Sequence, residues 1–378
     1  MCSSERILLF IKFRIVGAKC MLELQVKKTG GDYSTITEAI NAIPYEEEGV
    51  IYIGAGTFRE KIFCEKRDIT FIGDGIDSTV IEYDDGAFDE MEDGTKRGTF
   101  RSYTAFFGGK MCRVKNMTIK NTAGPGEKRG QAIAVYADAE QCLFENVKML
   151  GFQDTLFCAP LPVNERQKNG FFGPRAFTPR IKTKQYYHNC EIHGDVDFIF
   201  GGADAVFDDC FIQCNNRYKD EADGDDVGAA ADSKNSTGAK KSPVKDGSTA
   251  DRHINGYITA ASGLKDGLGF IFRNCTITGE EGCEEGSVFL GRPWREEART
   301  VFLNCRMDNT IAPERFSGWG SVNREEPETF YGEYGTKNLD GSSFVDLSHK
   351  NSWVKEITKE EFDRLNSEAD KIYQWFRA

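Results

Sequence analysis

Two aspartates carry the strongest chemical signal in this sequence. Asp197 stands in GDVDFIFG (194–201), inside an apolar segment bounded by glycines, and Asp154 stands in GFQDTLF (151–157). A carboxylate in such a run must be paired, hydrogen-bonded or neutral, because burying a bare charge costs many kcal/mol. Two carboxylates held together cannot both ionise cheaply, so their pKa values split and one site acquires an acid and a base. Gln153 adjoins the first aspartate and Gln131 sits in GQAIAVY (130–136); two amide N–H₂ groups beside two carboxylates suit an oxyanion hole. Arg292, in LGRPW (290–294), offers a guanidinium that holds one carboxylate charged through a bidentate bond. Each residue also has a structural reading: the glutamines can satisfy turn backbone, and Arg292 can be an ordinary ion-pair partner.

What must position these groups is a repeat. Six times the chain spells an apolar residue, any residue, Asn or Asp, an apolar residue or Cys, any residue, then Ile or Met, centred on Asn116, Asn146, Asn189, Asp209, Asn274 and Asn304. The alternation is that of a strand, with the Asn where a turn or stacked amide ladder belongs. Successive centres lie 30, 43, 20, 65 and 30 residues apart. The shortest spacing is one coil of a solenoid and the longer ones are coils carrying loops. An all-β, right-handed parallel β-helix follows, each coil stacking about 4.8 Å above the last. Asp154 and Asp197 each lie eight residues past a repeat centre. Equal phase puts them on neighbouring strands, roughly 5 Å apart at the backbone.

The reading places one β-helix domain over 21–378 after an extension at 1–20, with loops near 84–94, 159–180 and 217–252. The last reads as a mobile surface insert. A helix within 33–43 stops at Pro44 and caps the solenoid. The box Thr358-Lys-Glu-Glu361, flanked by Ile357 and Phe362, starts a carboxy-terminal helix that also serves as a cover. Net charge is −12, against a nucleic-acid binder. No apolar run approaches membrane-spanning length. The 12 cysteines read as buried free thiols rather than a disulfide framework, and no zinc spacing occurs. Lys12 and Arg14 interrupt the apolar run 7–11 without a clean cleavage site. The expectation is a cytoplasmic, monomeric protein, secretion being the alternative.

Together GQAIAVY, GFQDTLF, GDVDFIFG and LGRPW resemble the pectin methylesterases, carbohydrate esterases on a parallel β-helix. The resemblance runs from about Thr29 to Trp353 and includes GTFREK (56–61), Gly318-Trp319-Gly320 and Glu333-Tyr334. It implies hydrolysis of galacturonate methyl esters, in pectin or oligogalacturonides, without metal or cofactor. Asp197 is then the nucleophile, Asp154 the acid and base, Gln131 and Gln153 the oxyanion donors, and Arg292 the partner of Asp197. Trp294 is implied to stack on sugar, with Phe200 and Trp319 as further candidates. One departure is Ala261, where the family usually has Gln. Another is the length of 159–180, which bears on whether polymer or short oligomer enters.

Rival readings are a pectate lyase, a polygalacturonase, or a non-catalytic carbohydrate-binding β-helix, since fold alone does not give function. The calcium cluster and aspartate trio that the first two need are not visible. A serine esterase lacks its G-x-S-x-G, and only His188, His193, His253 and His349 are present.

Overall fold

The computed structural model describes residues 12–16, 19–219, 253–319 and 329–377. Strands stack in parallel, coil on coil; the exception among the described strand pairs is Lys12–Val16, which runs antiparallel to Lys19–Val26. Of the insert expected at 217–252, all but 217–219 lies outside the described residues.

The repeat centres explain the coil's shape. Asn116, Asn146, Asn189, Asp209, Asn274 and Asn304 all adopt left-handed backbone, with φ between 50° and 57°. That conformation costs most L-residues about 1–2 kcal/mol, and the short polar side chains of Asn and Asp tolerate it best. Each centre bends its strand, turning one face of the coil into the next. The six align in register. Asn146 Nδ2 donates to Asn116 Oδ1 at 2.9 Å, and Asn189 Nδ2 to Asn146 Oδ1 at 3.3 Å. The amide ladder stops at Asp209, whose carboxylate has no N–H to donate.

Inside, the position two residues before the centre holds Val114 in the first repeat and a ring in the other five, and those rings stack. Phe144, Tyr187, Phe207, Phe272 and Phe302 follow one another at 5.0, 4.5, 4.4 and 4.5 Å with near-parallel planes. The position after the centre holds Cys190, Cys210, Cys275 and Cys305, buried free thiols. Ring pairs add about 0.5–1.5 kcal/mol each beyond the area they bury, so the sequence repeat is also the energetic repeat.

The amino-terminal helix, Ile36–Ala42, has Thr35 as its N-cap and turns Ile36, Ala39 and Ile40 into the end of the core. Glu60 reaches its first turn, accepting from the Ile36 and Thr37 amides at 3.0 Å. At the other terminus the expected box forms: Glu361 accepts from the Thr358 amide and Thr358 Oγ1 from the Glu361 amide. The helix it starts, Lys359–Arg377, does not close the open end, which corrects the expected cover. Its Leu365, Ala369 and Ile372 lie on Leu143, Tyr186, Val206, Ile271 and Val301, one in-register column of outward side chains. The apolar stripe needing burial runs along the flank, so the helix lies there.

The loop at 84–94 is held by cations: Lys61 and Arg97 reach Asp85, and Arg129 reaches Asp89. The 159–180 insert has no helix or strand, yet Arg180 stitches it by donating to the carbonyls of Pro162, Arg175, Thr178 and Ala176. A seven-stranded sheet carries the site, in the order Ile62–Cys64, Ala105–Phe107, Val135–Ala137, Leu156–Cys158, Val196–Gly201, Gly256–Ala261 and Val288–Gly291.

Candidate active site

Asp154 precedes the strand Leu156–Cys158, and Asp197 lies within Val196–Gly201 on the next coil. Leu156 pairs with Ile199 and the Asp154 amide donates to Val196 O at 3.1 Å, so the two aspartates stack. Both are left-handed, at φ 67° and 51°. In Asp197 this makes a bulge, seen as a register shift against Gly256–Ala261. A bulge re-aims one side chain, and it turns Asp197 out of an inward apolar run into a cleft.

The cleft, of about 370 Å³, is lined by Asp154, Asp197, Gln131, Gln153, Arg292, Trp294, Phe200 and Trp319, all eight residues singled out in the sequence. Other lining residues are Thr99, Phe100, Ala260, Arg295 and four from the insert: Arg166, Gln167, Gly170 and Phe171. No histidine or serine is among them. A hollow of about 420 Å³ on the insert's other side is lined in part by charges that pair with each other, Arg175 with Glu65 and Asp138.

The two carboxylates have unlike partners. Arg292 clamps Asp197, Nε to Oδ1 at 2.8 Å and Nη2 to Oδ2 at 2.7 Å. Among the described residues the Asp154 carboxyl has no hydrogen-bond or ion-pair partner. Burial raises Asp154 well above the usual carboxylate range, and the charge of Asp197 raises it further. Burial pulls Arg292 down, but Asp197 more than offsets this and the guanidinium stays above its ordinary value.

Tyr257 and Trp319 sandwich Arg292, ring centroids at 4.0 and 4.1 Å from its central carbon. Trp319 thus serves the guanidinium first. Phe200 is 3% exposed, packed against Phe157 and edge-on to Trp294; it backs the indole and offers no ring face. Trp294 is half-buried, with Phe171 also edge-on to it at 6.2 Å. Gln131 and Gln153 line the floor, and their side-chain amides make no hydrogen bond to another described residue. Their carbonyls brace the turns, Gln153 O accepting from Ala132 N and Gln131 O from Ala87 N. Ala261, where the resemblance implies Gln, is fully buried in the core.

Sequence reasoning missed Tyr257, Phe100, Phe171, Arg166 and Arg295. Tyr257 had one available signal, its place in the strand beside the Asp197 strand; the others come from loops without periodicity.

The pectinesterase family model matches residues 24–167, 180–245 and 249–363. "Probable pectinesterase/pectinesterase inhibitor 64" of Arabidopsis thaliana is 32% identical over 357 residues, covering 90% of this chain and 49% of that protein. "Pectinesterase 31" of the same plant is 28% identical over 311 residues, 80% of this chain and 78% of its own. The chain spans about half the length of the first curated relatives it matches. Among solved structures, pectin methylesterase from carrot superposes with a TM-score of 0.65 at 25% identity, covering 95% of this chain and 97% of its own. The Erwinia chrysanthemi pectin methylesterase gives 0.64 at 22%, over 90% and 94%.

Proposed function

The chain belongs to the pectinesterase family, and from that premise we propose that it hydrolyses methyl esters of galacturonate chains to carboxylate and methanol. The observation that carries this reading is the unequal pair: Asp197 held by Arg292, Asp154 buried with no cation of its own among the described residues.

Asp197 attacks the ester carbonyl carbon through a carboxylate oxygen. An aspartate is a weak nucleophile in water and needs a dry, oriented setting; the bulge and the Arg292 clamp supply orientation. The oxyanion that forms is met by the Gln131 and Gln153 amides. Asp154, protonated at rest, gives its proton to the departing methoxide, which leaves as methanol and breaks the acyl–oxygen bond. The resulting anhydride on Asp197 is opened by water, whose proton returns to Asp154. That restores both aspartates and releases galacturonate. Trp294 supplies an apolar face for a sugar ring.

Methanol release from a methylated galacturonate hexamer, without chain cleavage, tests the reading. Unsaturated or new reducing ends would point instead to a lyase or polygalacturonase. Bound sugar with no product from either reaction would leave a binding protein.

A further inference from the structure

Two chains of contact connect Arg217 to Gln153, although Arg217 does not line the cleft. The first passes through the short helix Gly126–Arg129. Arg217 Nη2 donates to Glu127 Oε1 at 2.9 Å, and the neighbouring Gly126 lies flush with the Gln153 side chain, where an added Cβ would sit 2.5 Å from Oε1 and 2.9 Å from the Gln153 Cβ. The second passes through the turn before Asp197. Arg217 Nε lies 3.6 Å from Asp195 Oδ2, and the Asp195 amide donates at 3.1 Å to Phe152 O, the carbonyl that precedes Gln153. The end of the strand Phe211–Cys214 anchors the bridge. Asn215 N donates to Gly194 O at 2.7 Å and Asn215 Nδ2 to Gly151 O at 2.9 Å, so both aspartate turns hang on it, while the Arg217 amide donates to Asn255 Oδ1 at 3.0 Å.

Gln153 needs such support, because its amide makes no hydrogen bond to another described residue and packing alone fixes where the N–H₂ points. A donor serves a developing oxyanion only when it is held in place beforehand. A displacement of about 1 Å can cost about a hundredfold in rate. The planar fork of a guanidinium reaches two carboxylates at once, which suits it to the bridge. On the premise of the proposed function, we propose that Arg217 is a positioning residue for Gln153: by tying Glu127 to Asp195 it fixes the gap in which the Gln153 amide stands, and it governs turnover without touching substrate. Arg217 also offsets the charge of buried Asp195, a structural duty that has to be separated from positioning.

Methanol release from methylated hexagalacturonate separates the two. Arg217→Gln should lower kcat about ten- to a hundredfold with KM little changed, and Arg217→Lys, which keeps the charge, should recover part of that loss. Glu127→Gln leaves Asp195 its arginine; Glu127 is 59% exposed, so kcat should fall only about two- to fivefold, the scale of an exposed ion pair. Gly126→Ala alters no charge. Its backbone is helical and accepts Ala, so the methyl group displaces the flexible end of Gln153 and kcat should fall about tenfold. In a Gln153→Ala background none of the three changes should lower kcat further. Losses that persist in that background, or single variants with unchanged kcat, overturn the proposal.

A second measurement is independent of turnover. In protein carrying glutamine labelled with heavy nitrogen, the Gln153 side-chain N–H₂ resonances, assigned by their loss in Gln153→Ala, should shift or broaden in Arg217→Gln and Gly126→Ala. They should stay in place in Arg113→Gln, whose ion pair with Asp68 stands apart from the cleft. Resonances unmoved in the first two variants, or moved equally in all three, overturn the proposal. A protein that releases no methanol but shows the Arg217 dependence would sink the esterase reading and keep the hold of Arg217 on Gln153.

Discussion

Arg292 holds both oxygens of Asp197, at 2.8 and 2.7 Å, and is itself pressed between the rings of Tyr257 and Trp319. A guanidinium so confined cannot swing to Asp154. In the proposed mechanism the division of labour between the stacked aspartates rests on that confinement.

Asp197→Asn should abolish methanol release while sugar binding persists, because the fold around the bulge needs the left-handed residue and Asn supplies it. Asp154→Asn should lower kcat by about 10²–10⁴-fold, the usual scale of a lost general acid. Gas-chromatographic methanol assays on both purified variants decide this; wild-type rates in either would remove that residue from the mechanism.

Arg292→Met should destabilise the protein by about 3–5 kcal/mol, since it strands a buried carboxylate. The double variant Arg292→Met, Asp197→Asn should regain much of that loss. Urea unfolding of the three variants measures it, and additivity of the two changes would contradict the pairing.

The pH dependence has a definite sign. In the proposed mechanism Asp154 must be protonated to release methanol, and burial followed by the charge of Asp197 raises its pKa. So kcat/KM should fall as pH rises through the folded-state pKa of Asp154. Asp195, buried beside the pair and only loosely met by Arg217 at 3.6 Å, is pushed by burial to about 6. The folded state thus holds a proton that the unfolded chain has released above about pH 4. That stability is full below the unfolded pKa and is lost as pH rises through about 6. Melting temperatures from pH 4 to pH 7 should show the decline, and Asp195→Asn should flatten it.

Arg180→Ala removes donors to four insert carbonyls. Limited proteolysis should begin cutting within 162–179, and KM should rise more than kcat falls as Phe171 leaves Trp294. An insert that stays protease-resistant would show that its other contacts suffice.

Phe207→Ala takes a ring from the middle of the interior stack, between Tyr187 at 4.5 Å and Phe272 at 4.4 Å. The expected loss is about 3–5 kcal/mol, read from denaturant midpoints at unchanged m-value.

The sequence by itself determined whatever the repeat's phase can express. Stacked coils bring positions of equal phase to one strand spacing, so Asn146 above Asn116, and Asp197 above Asp154, follow from counting residues. The chemistry of Asn in a left-handed corner says why the marker is Asn or Asp. Only the tertiary structure decided what sits between loops of different coils: Tyr257 and Trp319 closing on Arg292, and Phe171 on Trp294. It also laid the carboxy-terminal helix along the flank rather than over the end. These contacts depend on the path of segments with no period, where neither strand register nor spacing limits which side chains meet. There the packing of aromatic faces and the need to offset buried charge choose the partners.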